Sequence, residues 1–435
     1  MVRTDIVIVM LCVAVVRTGM AAAPDLTAGG VPDEDPAITI NLGPTGARGW
    51  VYHARTDTSE SRQILVTAVD SGSPSVGILA VDDVILGADG TSANPSAFSS
   101  DARKSLALAI ADAEARSPAS LKVLRWRTGT TTTVTLVLQT MGAYTATAPY
   151  NCPKSTLILQ QGLQYVYDNE TVGRYSFGGL ALLATNDAAY RAKAETEARA
   201  LIPSQATMDQ MMSDERETGS TWQRGHTLIF LTEYYLATGD AQVLPAIEAY
   251  AINIAKNTSL FGTVGHIFAE KNADGSANGP MGGVYGTINT PGLFCFLGVL
   301  LAKECGLTNP ELDPAIERAS RFFAHYTGKG AIPYGEHEAF SQRHENNGKC
   351  GLSTLAFMLQ DSRIEEGKFF AKMSTASATE REEGHTGSFF NYLWAAPGSR
   401  HWRGGRRRGP FRADQLDARP QPSLGRGVRL RLPQW

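Results

Sequence analysis

Histidines, an arginine, aromatic rings and amides recur in glycine-rich stretches across the second half of the chain. Trp222, Arg224 and His226 open one stretch, and His266 follows Gly265 in another. Tyr285 closes the run Met281-Gly282-Gly283-Val284-Tyr285, and Glu336-His337 follows Tyr334-Gly335. His344-Glu345-Asn346-Asn347 and Glu383-Gly384-His385-Thr386-Gly387 complete the set. These residue types suit sugar chemistry. A histidine or tyrosine can abstract or return a proton. Asparagine and arginine can hold a uronate carboxylate and the charge that develops beside it. A lyase would use His344 or Tyr285 as base, with Asn346 and Arg224 on the carboxylate. A hydrolase would pair two acids, Glu336 and Glu345. The catalytic candidates are thus His226, His266, Tyr285, His344, Glu345 and His385. Trp222, Arg224 and Asn346 are candidates for holding substrate, the tryptophan through its apolar face. Each has a plain counterpart, since a histidine at a helix start often serves only the fold.

Other chemistries lack their motifs. His344-Glu345 has no second histidine four residues after the first, so it is not a zinc-protease pair. No Cys/His zinc spacing, phosphate loop, dinucleotide fingerprint or Gly-x-Ser-x-Gly elbow appears. Neither a metal nor a cofactor is expected. Cys152, Cys295, Cys305 and Cys350 are too few and too scattered for a disulfide scaffold, and read as small core residues.

The elements that must position these groups are helical. Ser155 is expected to cap a helix reaching Asp168. Further helices are expected at 173–184, 187–201, 222–237, 241–257, 291–305, 312–327 and 348–360. Thr238-Gly239-Asp240 and Thr308-Asn309-Pro310 are stop-and-start signals, so consecutive helices form antiparallel hairpins. Their similar grammar suggests a repeat. Before residue 142 the period changes to two. Residues 50–52, 64–69 and 134–138 read as strands, and Leu106, Ala109, Ile110 and Ala113 lie on one face of a helix at 101–115.

Arg3, the apolar run Ile6–Val16 and small residues to Ala23 read as an export signal over 1–23, followed by a Pro/Gly/acid-rich linker at 24–37. The expected location is secreted or periplasmic, with no stable membrane span after cleavage. The net charge of -3 disfavours nucleic acid. From Arg400 onward ten arginines face two acids, and the tail at 400–435 reads as basic and disordered or as out-of-frame translation.

Ser71 to Thr91 (SGSPSVGILAVDDVILGADGT) resembles the PDZ signature, with Gly72, Pro74 and Gly77 shaping a turn and Asp89-Gly90 closing a tight one. The resemblance covers 38–142. It implies that Gly43, Gly46 and Gly49 form a carboxylate-binding loop before a strand from Trp50, beside an open edge that would take a peptide C-terminus. Thr221 to Asp240 resembles the hairpins of α/α toroids, a fold shared by terpenoid cyclases, glycoside hydrolases and polysaccharide lyases. Together the two parts resemble an exported bacterial family, the domain-of-unknown-function family numbered 6288. The expected fold class is multidomain: a small α+β PDZ-like domain, then an all-α, α/α-toroid-like domain over 143–399. Fewer hairpins are visible than the roughly six a closed toroid needs, so the ring reads as incomplete. Two functions fit: an exported enzyme acting on polysaccharide with a PDZ-like docking module, or a non-catalytic exported scaffold.

Overall fold

The computed structural model describes residues 39–401, except 53–57, 92–93, 170–176, 186, 214, 216, 282–285, 340, 342–347 and 378–388. Tyr285, His344, Glu345, Asn346 and His385 lie outside the described residues, as do the signal segment and the linker. The chain divides near residue 150, where Cys152–Lys154 belong to the first unit and Ser155 begins the continuous part of the second.

The first unit comprises β1 (Ile40–Asn41), β2 (Ala47–Trp50), β3 (Ile64–Val69), β4 (Val84–Asp89), α1 (Ala102–Glu114), β5 (Ala119–Arg127) and β6 (Thr130–Leu138). The strands form one antiparallel sheet in chain order. Ala119, Leu121 and Val123 alternate inward on β5, as the strand period requires. Arg127 continues that alternation and meets fully buried Asp83 at 2.5 and 2.6 Å. α1 lays Leu106, Ala109, Ile110 and Ala113 on the sheet. Gly90 is needed here for space, since a Cβ would stand 2.1 Å from the Ala109 carbonyl oxygen. β2 ends at Trp50 instead of starting there, and Gly49 lies within the strand, paired with Ile40 and Val66.

The unit also extends past residue 142. Met141 and Gly142 donate backbone N–H groups to the Glu114 carbonyl, and the Lys154 ammonium meets the Glu114 carboxylate at 2.6 Å. Both side chains are nearly fully buried, and the ammonium also sits over the Tyr144 ring at 4.5 Å. Burial of each charge is tolerable because the other is there.

The second unit is helical. Its elements are α2 (Pro153–Asn169, whose first two residues fall in the first unit), α3 (Phe177–Leu183), α4 (Ala188–Ala200), α5 (Gln205–Met212), α6 (Thr221–Thr238), α7 (Leu244–Asn257), α8 (Asn289–Glu304), α9 (Leu312–Ala324), α10 (Lys349–Met358), α11 (Ile364–Ala376) and α12 (Phe389–Ser399). α2 starts at Pro153, so Ser155 sits in its first turn and is not its cap. α12 continues through Pro397 to Ser399.

α6, α8, α10 and α12 pack side by side as one row, and α7, α9 and α11 pack on their outside. α6 and α8 run parallel, as do α10 and α12. The Cys295 thiol reaches the Thr221 carbonyl near the start of α6, and the Cys305 thiol reaches the Thr232 carbonyl farther along it. Gly348 and Gly351 meet Phe390 and Trp394 in the same order. Glycines make this approach close. A Cβ on Gly225 would lie 2.7 Å from Phe294 Cβ, and one on Gly351 would lie 2.2 Å from the Trp394 carbonyl oxygen. Gly225, Gly292 and Gly351 each occupy the first turns of α6, α8 and α10, which gives the hairpin repeat a physical basis. Short turns close the row at the helix C-termini, at 239–243, 305–311 and 359–363, while the long connections enter at the N-termini.

Candidate functional site

The first turns of α6, α8 and α12 meet in a cluster of rings. Trp222 and His226 lie four residues apart on one face of α6, and Ser220 caps that helix through the Gln223 N–H. The His226 ring stands 3.9 Å from Phe294 and 4.6 Å from Phe177, centroid to centroid, and Phe390 packs on Trp222 at 5.6 Å. His226 Nδ1 lies 2.7 Å from the Trp222 carbonyl oxygen. A carbonyl only accepts, so Nδ1 carries the proton. Burial then pushes the imidazole down to about 3, with that hydrogen bond opposing the shift. His226 is 1% exposed and lies among rings, so it belongs to the core and is not placed to meet substrate.

His266 is different. It is exposed on the loop that leads into α8, and its backbone is fixed by Thr221, whose hydroxyl donates to the carbonyls of Gly265 (2.6 Å) and His266 (3.0 Å). The Trp222 indole N–H donates to His266 Nδ1 at 2.9 Å. Trp222 is only 7% exposed, so it offers no open face to a sugar ring.

Glycine contacts bring a second loop beside this one. A Cβ on Gly265 would lie 2.5 Å from the Gly286 carbonyl oxygen, and one on Gly286 would lie 2.7 Å from Glu336 Oε1. That carboxylate accepts the Thr287 N–H at 3.0 Å and is exposed, as is His337. Buried Asn289, at the start of α8, ties the Glu336 loop down by donating to the carbonyls of Pro333 (2.9 Å) and Gly335 (3.2 Å). Tyr326 stands against Asn289, and burial raises its hydroxyl above the ordinary value. Asn289 and Tyr326 are absent from the sequence candidates, because their role depends on contacts with segments far along the chain.

Arg224 does not join the cluster. Two residues along a helix turn the side chain about 200° away from Trp222. Its guanidinium forks onto Glu217 at 3.2 and 2.9 Å and lies over the Tyr250 ring at 5.4 Å. It is committed to the fold and is not available as a uronate clamp. Among the described residues no group of three or more His, Cys, Asp or Glu side chains is placed to hold a metal ion.

In the first unit the loop Leu42–Ala47 closes on itself. Gly43 N–H donates to Asn41 Oδ1, Gly46 N–H to the Gly43 carbonyl, Leu42 N–H to the Ala47 carbonyl, and Ala47 N–H to Thr45 Oγ1. These donors do not converge on an outside anion, and β2 is paired on both sides, by β1 and β3.

The family model for the domain of unknown function DUF6288 matches residues 155–415. The chain belongs to that family. The DUF6288 match begins where the second unit becomes continuous and runs past Ser399, beyond the point where the sequence reading ended it. Thr221, Trp222, His266, Asn289 and Glu336 all fall within it. No curated protein and no solved structure matches the chain.

Proposed function

We propose that this is an exported enzyme whose DUF6288 domain acts on an acidic polysaccharide, at the end where α6, α8, α10 and α12 begin. One observation carries the reading. An exposed histidine, His266, is held by a buried indole on a loop that abuts the one bearing the exposed carboxylate Glu336. Such a pairing of an oriented imidazole with a carboxylate suits cleavage at a glycosidic linkage by elimination or by hydrolysis. The start of each parallel helix also carries partial positive charge, which favours a substrate bearing carboxylates.

The helical row with its outer layer is read as α/α-toroid-like, and the six-stranded unit as PDZ-like. The export reading rests on Arg3 and Ile6–Val16. A docking role for the first unit would use a surface other than the Gly43–Gly49 loop, whose donors are satisfied internally. Affinity electrophoresis tests the substrate class. Migration should be retarded in gels containing polygalacturonate or alginate and not in gels containing neutral glucan. Equal migration in all of them would refute the acidic-substrate reading.

A further inference from the structure

We infer that Trp222 is a positioning residue that fixes the protonation pattern of His266, so that His266 meets its ligand through an Nε2–H donor. This inference rests on the proposed site but makes its own claim about the chain. The indole N–H can only donate. It lies 2.9 Å from His266 Nδ1, which must then be the accepting nitrogen. The two rings are inclined by only 23° with centroids 6.1 Å apart, too far for face-to-face contact but right for an in-plane N–H···N bond. Neutral His266 therefore carries its proton on Nε2.

Trp222 is itself held from three sides. Its carbonyl accepts from His226 Nδ1 at 2.7 Å, and its ring packs on Phe390 and Phe294 at 5.6 and 6.0 Å. His226, Trp222 and His266 thus form a chain that runs from the buried rings to the exposed loop. The Trp222 indole in the middle sets which nitrogen of the outer histidine bears hydrogen.

The chemical consequence is specific. A histidine held this way is a poor base toward substrate, since its free-acceptor nitrogen is already used. It suits donation to an oxygen, either a carboxylate or the bridging oxygen of a glycosidic link. Protonation of His266 would put hydrogen on Nδ1 as well, and the bond from Trp222 would break.

Nuclear magnetic resonance of the ¹⁵N-labelled full chain tests this without any assay of activity. The Trp222 indole N–H should show a coupling to His266 Nδ1 across the hydrogen bond, and its resonance should shift in step with the titration of His266. In Trp222→Phe the His266 titration should move to higher pH, because the neutral form loses its donor. His266→Gln keeps a donor near the Nε2 position and should retain polygalacturonate binding within about threefold, whereas His266→Asn should weaken it tenfold or more. An indole resonance indifferent to His266 titration would overturn the inference, as would a proton found on Nδ1. If the coupling is present but no polysaccharide binds either variant or the native protein, the positioning claim stands and the proposed substrate falls.

Discussion

At the residue scale, burial separates histidines that look alike in sequence. His226 and His266 both stand near glycines, yet one is sealed among rings and the other is exposed. The pH dependence of stability should report the difference. His226 titrates at about 3 when folded, against an ordinary value of 6.5. The unfolded chain therefore binds the proton more readily between those values. Above pH 6.5 the neutral ring adds no pH dependence, and each unit of acidification from 6.5 toward 3 should cost about 1.4 kcal/mol. Urea unfolding of His226→Phe should show a slope between pH 6 and pH 4 flatter than native by roughly that amount per unit. Parallel slopes would mean that His226 is hydrated or charged. Arg224 was legible as a functional type but not as a structural one, because its partner Glu217 lies outside the helix. Arg224→Met should lower stability by about 1–3 kcal/mol by leaving that carboxylate with the Gly219 N–H but no guanidinium, while polygalacturonate binding stays within twofold. A large loss of binding with unchanged stability would return Arg224 to the site.

At the element scale, the long apolar helices were readable because period and stop signals agree, as in α6 with Ser220 before it and Gly239 after it. β5 escaped because Arg125 and Arg127 interrupt its apolar alternation, and only the fold supplies Asp83 and the Ile78 carbonyl to receive them. α11 escaped because Gly367 reads as a breaker, although it is there to clear Met358. Two helical glycines should respond to alanine in opposite senses. Gly351→Ala forces a methyl against the α12 backbone and should destabilise the helical unit by about 1–3 kcal/mol or more. Gly162→Ala, on exposed α2 with no atom near its missing Cβ, should stabilise it by roughly 0.5–1 kcal/mol. Thermal unfolding of the two variants checks the sign of each. Shifts of the same sign would show that helix propensity, and not contact between helices, governs these positions.

At the scale of the whole molecule, the sequence boundary at 142 falls short by about a dozen residues, since composition cannot show that Lys154 returns to neutralise Glu114. Lys154→Met leaves Glu114 buried without its cation and should destabilise the first unit by about 3–5 kcal/mol. Equal denaturant midpoints would show that the pair is dispensable. The change from strands to helices was visible in the periods, and the family match from residue 155 agrees with it. The site was only partly legible. Glycine-rich loops pointed to His266 and Glu336, but the buried support from Trp222, Thr221 and Asn289 depends on contacts far apart in sequence. The central claim is that these loops act on acidic polysaccharide through His266. Its most direct test is the rate at which the full-length protein shortens polygalacturonate and alginate, read as new reducing ends and as unsaturated sugar. Chain shortening is expected from the native protein, with a loss of at least about 100-fold in His266→Ala with the fold intact, a typical scale for removing one preorganised hydrogen-bond donor. Equal rates for native protein and variant, or no shortening of any acidic polysaccharide, would contradict it.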